Sequence, residues 1–254
     1  MTSGRGSGVR ARGKGLSPEP RAPSPEPRSV RDRLIVALDA VTLSQALALA
    51  RQLRGLARTL KVGGALFTAC GPEAVRRIRR LGFEVMLDLK FFDIPTTVEL
   101  SCRAAAALGV SLVTVHAGGG RPMLAAAVRG ARGPRGVGPK VLAVTVLTSD
   151  GGGRAASVRA RVVALAREAL SAGCDGVVAS AQEAPALRAA LGPRPLIVCP
   201  GIRSAGGAAQ DQRRVMAPRD ALSGGADFLV VGRPITAAAQ PRDAARRFVR
   251  EMEA

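Results

Sequence analysis

The chain has 254 residues, 47% of them hydrophobic, with 38 Lys and Arg against 19 Asp and Glu. That apolar content excludes disorder throughout, and no apolar run approaches the roughly 20 residues of a transmembrane helix, so no membrane partner is expected. A net charge of +19 is compatible with nucleic acid or an anionic substrate. Phe is the only aromatic, with six copies, which is a poor supply of stacking platforms for single strands. An Arg- and Ala-rich composition accounts for the basic excess, with substrate attraction second, and no specific nucleic-acid partner is expected.

Residues 1–29 are rich in Gly, Arg, Ser and Pro. Ser17-Pro18-Glu19-Pro20-Arg21 recurs as Ser24-Pro25-Glu26-Pro27-Arg28. This segment reads as a disordered tail without the apolar core of a secretory signal. Residues 30–254 then form one domain, close to the usual size of a single α/β barrel. Four cysteines, Cys70, Cys102, Cys174 and Cys199, are widely spaced with no C-x-x-C. Reduced thiols in a cytoplasmic protein are the simplest reading. One histidine excludes a His-rich metal site, and no metal is expected.

From Arg33 onward, short apolar runs alternate with helical stretches. The runs are Leu34–Leu38, Leu60–Val62, Val85–Leu89, Leu112–Val115, Val141–Leu147, Gly176–Ala179, Leu196–Cys199 and Phe228–Val231. They are continuous rather than alternating, as strands buried on both faces are. Gly82, Gly109, Gly173, Gly192 and Gly225 mark helix ends, while Pro72 and Pro95 suit first helical turns. Eight such units predict an α/β fold, a (β/α)8 TIM barrel.

Barrel active sites form at the C-terminal ends of strands. Those ends carry Asp39, Lys61, Asp88, Lys90, Asp93 and His116, then Thr148 and Ser149, and finally Gly201, Arg203, Gly232 and Arg233. Period two puts Asp88 and Lys90 on one side of the third strand, opposite Leu87 and Leu89. A single such pair reads as a salt bridge. Five ionisable residues on three consecutive strand ends read as a site, with Lys61 and Asp93 extending the charge row. After the last two strands, glycines allow close backbone approach, and Arg203 and Arg233 suit a phosphate. His116 reads equally well as a packed strand-end residue, and Cys199 as a core thiol. Gly133 and Gly138 have Walker-like spacing, but Pro139 stands where that motif needs Lys.

The stretch Asp88-Leu89-Lys90-Phe91-Phe92-Asp93-Ile94-Pro95 resembles the D-x-K-x-x-D signature of the orotidine 5′-phosphate decarboxylase family. The likeness continues through Ala37-Leu38-Asp39, Leu60-Lys61-Val62-Gly63 and Val144-Thr145-Val146-Leu147-Thr148-Ser149. It extends over Ser180-Ala181-Gln182-Glu183-Ala184, Pro200-Gly201-Ile202-Arg203, Asp211-Gln212-Arg213-Arg214 and Val231-Gly232-Arg233-Pro234-Ile235, in order over about residues 33–240. It is closest to the bacterial branch.

The resemblance implies decarboxylation of orotidine 5′-monophosphate to UMP without a cofactor, in de novo pyrimidine synthesis. It implies that Lys90 protonates C6 and that Asp88 sits beside the substrate carboxylate. Lys61 and Asp39 would hold ribose hydroxyls and the charge row. Thr148 would lie beside the pyrimidine, and Gln212 would bridge base and phosphate. Arg203, Gly232 and Arg233 would grip the phosphate. In the homodimer that the family implies, Asp93 and Thr97 reach into the neighbour's site. Phe92 stands where relatives often have His, Gly118 where they often have Ser, and the loop after Ser149 is shorter.

A related barrel acting on sugar phosphates with Mg²⁺, such as a hexulose-phosphate synthase, shares the D-x-K-x-x-D pattern. The Gln212 motif and the Thr148-Ser149 turn favour the decarboxylase. A Schiff-base aldolase using Lys90 is disfavoured, because flanking aspartates keep its amine charged rather than nucleophilic. A non-catalytic nucleic-acid binder is disfavoured because Asp39, Asp88 and Asp93 would repel a phosphate backbone.

Overall fold

Strands that are apolar on both faces need cover on both, and a closed barrel ringed by helices supplies it. The computed structural model of the chain describes residues 29–134, 136–146, 155–204 and 216–254. Its strands are β1 (Leu34–Ala37), β2 (Thr59–Gly63), β3 (Glu84–Phe91), β4 (Leu112–His116), β5 (Lys140–Val144), β6 (Gly176–Val178), β7 (Leu196–Pro200) and β8 (Phe228–Val231). All pair in parallel in chain order, and β8 closes on β1 through Ile35 opposite Val230. The predicted fold is therefore the observed one. The tail lies outside the described residues apart from Ser29.

The helices among the described residues are α1 (Leu43–Gln52), α2 (Gly64–Cys70), α3 (Pro72–Arg80), α4 (Pro95–Ala107), α5 (Gly120–Arg132), α6 (Ala155–Ser171), α7 (Ala184–Leu191), α8 (Pro218–Ser223), α9 (Arg233–Thr236) and α10 (Pro241–Glu253). Pro72 and Pro95 open α3 and α4, where a missing N–H costs nothing. Gly192 caps α7 with φ +74°. The helices α4 and α5 pack so closely that a Cβ at Gly130 would run into the Glu99 carbonyl. No helix among the described residues is long and apolar enough to cross a membrane.

Alternation along each strand splits the core in two. Ile35, Met86, Leu112, Leu142, Val198 and Phe228 fill the barrel interior. Leu34, Val36, Val113 and Val115 face outward against helix residues such as Leu47, Val75 and Ile78. The strand β5 stops at Val144, short of the predicted Leu147. Both the N–H and the hydroxyl of Thr145 donate to the Val178 carbonyl, at 3.1 and 3.0 Å, and the chain bends at Val146.

The N-terminal end of the barrel is tied by carboxylates. Asp175 accepts the Val141 N–H at 2.9 Å and meets Lys140 and Arg132 at 3.3 and 3.4 Å. Asp227 accepts the Ile197 N–H and an Arg188 N–H, both at 2.7 Å. Each aspartate joins two strands through backbone and side chain together. Glu84, at the start of β3, pairs with Arg58 at 2.6 Å.

Candidate active site

The opposite end of the barrel holds a cavity of about 410 Å³, within the usual range for a small-molecule site. Its floor is apolar, made by Ala37, Met86, Val144, Val178 and Val230. Its rim carries Asp39, Lys61, Asp88 and Lys90 on one side, and Gly201, Arg203, Gly232 and Arg233 on the other. Four sequence-predicted acids and amines and four predicted phosphate-end residues thus share one cavity.

The four charges form an alternating row. Lys90 Nζ lies 2.9 Å from Asp88 Oδ1, and Lys61 Nζ lies 3.3 Å from Asp88 Oδ2. Lys61 Nζ stands 3.9 Å from Asp39 Oδ1, a looser contact in which Asp39 is half exposed. Burial pushes the Asp88 carboxyl upward, but the charges of Lys61 and Lys90 and hydrogen bonds from Lys90 and Thr114 outweigh it. Together they hold Asp88 below the ordinary aspartate value. Asp88 is therefore a carboxylate at neutral pH.

Side chains of β3 keep the predicted faces, but not by a regular pleat. Leu87 pairs with Val113 and Phe91 with Val115, so four steps along β3 match two along β4. The two extra residues bulge between them, and Lys90 takes φ +49°. Left-handed backbone costs a non-glycine residue about 1–2 kcal/mol. Such strain concentrates at functional sites. Nothing in the local sequence announces it, because a lysine gives no turn signal.

Thr114 is the site residue the motifs missed. It is fully buried on β4, where it accepts the Lys90 N–H at 3.0 Å and donates to Asp88 Oδ1 at 2.9 Å. The available signal was a lone hydroxyl inside the apolar run Leu112–Val115, in phase with the inward-facing Leu112.

At the far rim, Arg203 is buried and its Nε has no hydrogen-bond partner among the described residues. Burial and then the neighbouring Arg233 charge lower its pKa. A bound anion relieves the second of these effects and offers the missing acceptor. A Cβ at Gly232 would lie 2.7 Å from Asp39 Oδ2, so a larger residue there would displace the Asp39 side chain from its place beside Lys61.

Asp93 and Thr97 do not line this cavity. Both are exposed, and Asp93 Oδ1 accepts the Ile94 N–H at 2.6 Å. Nor does His116 line it. Its Nδ1 accepts the Gly118 N–H at 3.1 Å, and its ring packs on Phe92 with centroids 5.3 Å apart. Cys199 is a fully buried core thiol whose pKa burial pushes up to about 12. Thr148 and Gln212 lie outside the described residues.

Residues 32–248 match a family model described as the orotidine 5′-phosphate decarboxylase / HUMPS family. The chain belongs to this family. Curated orotidine 5′-phosphate decarboxylases resemble it at length. That of Anaeromyxobacter sp. (strain K) is 52% identical over 221 residues, covering 85% of this chain and 96% of the relative. That of Nitrosococcus oceani is 48% identical over 229 residues, covering 87% and 98%. The crystal structure of orotidine 5′-phosphate decarboxylase from Lactobacillus acidophilus superposes with a TM-score of 0.74 at 35% identity, covering 87% of this chain and 99% of that one.

Proposed function

We propose that this chain is a carboxy-lyase that converts orotidine 5′-monophosphate to UMP and CO2, as the last step of de novo pyrimidine synthesis. The observation that carries this reading is the Asp39–Lys61–Asp88–Lys90 row facing the Arg203–Arg233 rim across one cavity. Orotidine 5′-monophosphate has the matching polarity, with a dianionic phosphate at one end and the reacting carboxylate at the other.

Breaking the C6–carboxylate bond leaves an electron pair on an sp² carbon with no ring sink. The Lys90 ammonium stabilises that charge as it develops and delivers a proton to C6. CO2 departs, and solvent returns the proton to Lys90. Asp88 holds the ammonium and, as a carboxylate beside the substrate's own, disfavours the ground state more than the transition state. Lys61 and Asp39 bind ribose hydroxyls. Arg203, Arg233 and the Gly232 backbone hold the phosphate, Thr148 contacts the pyrimidine, and Gln212 links base and phosphate.

Asp93 and Thr97 serve a neighbouring copy in a homodimer. This is supported by their exposure and by the apolar Phe92, Ile94 and Leu100 around them, which are 63%, 66% and 56% exposed. Free cysteines among the described residues suit a cytoplasmic setting.

The test is loss of orotidine 5′-monophosphate followed by ultraviolet absorbance, with EDTA present. Rapid turnover is expected. No turnover by folded protein, together with Mg²⁺-dependent reaction of a pentulose phosphate with formaldehyde, would replace this reading with the sugar-phosphate one.

A further inference from the structure

We propose that Thr114 is a positioning residue for decarboxylation, whose hydroxyl holds the Lys90 bulge and the Asp88 carboxylate in register. The inference rests on the decarboxylase reading above. Thr114 does not line the cavity, so it acts through its two neighbours.

The bulge creates a problem that Thr114 solves. Between the Leu87–Val113 and Phe91–Val115 pairs, β3 has two residues too many for the β4 ladder. The Lys90 N–H is therefore not paired by β4 backbone, and a buried N–H without a partner is costly. The Thr114 hydroxyl accepts it at 3.0 Å.

That acceptance fixes the hydroxyl proton. A hydroxyl has one hydrogen, and the Lys90 N–H already points at its oxygen. The hydrogen is then directed to Asp88 Oδ1, which lies 2.9 Å away and, as a carboxylate, only accepts. Oδ1 thus receives both Thr114 and Lys90 Nζ, while Oδ2 faces Lys61 at 3.3 Å. One fully buried side chain on the rigid barrel wall orients the carboxylate plane and the backbone that launches the Lys90 side chain. It does so from below, leaving the cavity to substrate. Small errors in the placement of a reacting group cost rate far more than affinity, so kcat is where the hydroxyl acts.

The test compares wild type with Thr114→Val, which keeps shape but removes the hydroxyl, and Thr114→Ser, which restores it. Thermal melts and circular dichroism accompany the kinetics. The expected result for Thr114→Val is a kcat lower by about 10- to 100-fold, the range for losing a hydrogen bond to a charged group. KM and the UMP dissociation constant stay within about threefold, because the phosphate rim is untouched. Thr114→Ser recovers most of the loss.

A folded Thr114→Val with wild-type kcat overturns the proposal, as does a Thr114→Ser no better than Thr114→Val. Thr114→Ala removes the hydroxyl without placing a methyl against Asp88. If neither it nor Thr114→Val folds, the residue is a folding determinant and the proposal also falls. A wild-type protein that fails to decarboxylate is a failure of the functional reading. Wild-type turnover with an indifferent Thr114→Val is a failure of this inference alone.

Discussion

Glu84 and Asp88 lie four residues apart on β3, at opposite ends of the barrel, and their side chains are similarly buried at 7% and 11% exposure. Their pKa values move in opposite directions. Burial raises Glu84, and the single Arg58 charge, with hydrogen bonds from Arg58 and Thr59, offsets only part of it. Its Oε2 has no hydrogen-bond partner among the described residues. Asp88 suffers the same burial but sits between two ammonium groups and accepts a hydroxyl, and it ends below its ordinary value. Burial alone does not decide the charge state of a carboxyl; the number and placement of donors does. The N-terminal end pairs acids with arginines and backbone to tie strands. The C-terminal end assembles charges around an open cavity, where they can act on something else.

The largest effect that sharpens this contrast is on rate. Asp88→Asn keeps the shape but removes the charge that anchors both lysines, and kcat falls by on the order of 10²–10⁴-fold. Glu84→Gln, an equal chemical change at the other end, leaves kcat within about twofold. A large kcat loss in Glu84→Gln would break the division between the two ends.

Stability against pH gives the next effect, with opposite signs. The folded pKa of Asp88 is lowered, so its contribution is present above about pH 4 and is lost as pH falls through the folded value. The folded pKa of Glu84 is raised, so ionising it costs stability as pH rises through the ordinary glutamate value. Urea denaturation between pH 3 and 7 is expected to show Glu84→Gln gaining relative to wild type as pH rises. The Asp88→Asn variant shows the reverse trend. Parallel trends would contradict the assignment.

The smallest effect concerns the backbone at Lys90. Both Lys90→Ala and Lys90→Gly remove the ammonium. Glycine accepts φ +49° without a Cβ penalty, so the glycine variant is expected to be more stable by about 0.5–1 kcal/mol. In a chain of this size that is a melting difference of about 1–4 °C, readable by calorimetry. An alanine variant of equal or greater stability would argue against a strained bulge.

These contrasts also mark what the sequence could show. The eight apolar runs and the glycines after helices carry the barrel, because two-sided burial leaves a periodic imprint. Asp39, Lys61, Asp88 and Lys90 were legible as polar residues at strand ends, and they share the cavity. The bulge was not legible, because register depends on how β4 pairs with β3 and not on any residue of β3. Thr114 was hidden for the same reason. Its meaning comes from an N–H on the neighbouring strand that only the bulge leaves unpaired. Asp93 sits within the motif yet faces outward, since the chain turns at Pro95 to begin α4.

In the proposed reaction the Asp88–Lys90 end performs the chemistry while the arginine rim binds. This division is tested most directly by measuring both properties in one variant. In Lys90→Ala, orotidine 5′-monophosphate turnover is expected to fall by about 10⁴-fold or more. UMP affinity, measured by calorimetry, stays within about fivefold of wild type, because Arg203 and Arg233 are unchanged. Turnover retained within about tenfold of wild type would show that Lys90 is not the proton donor.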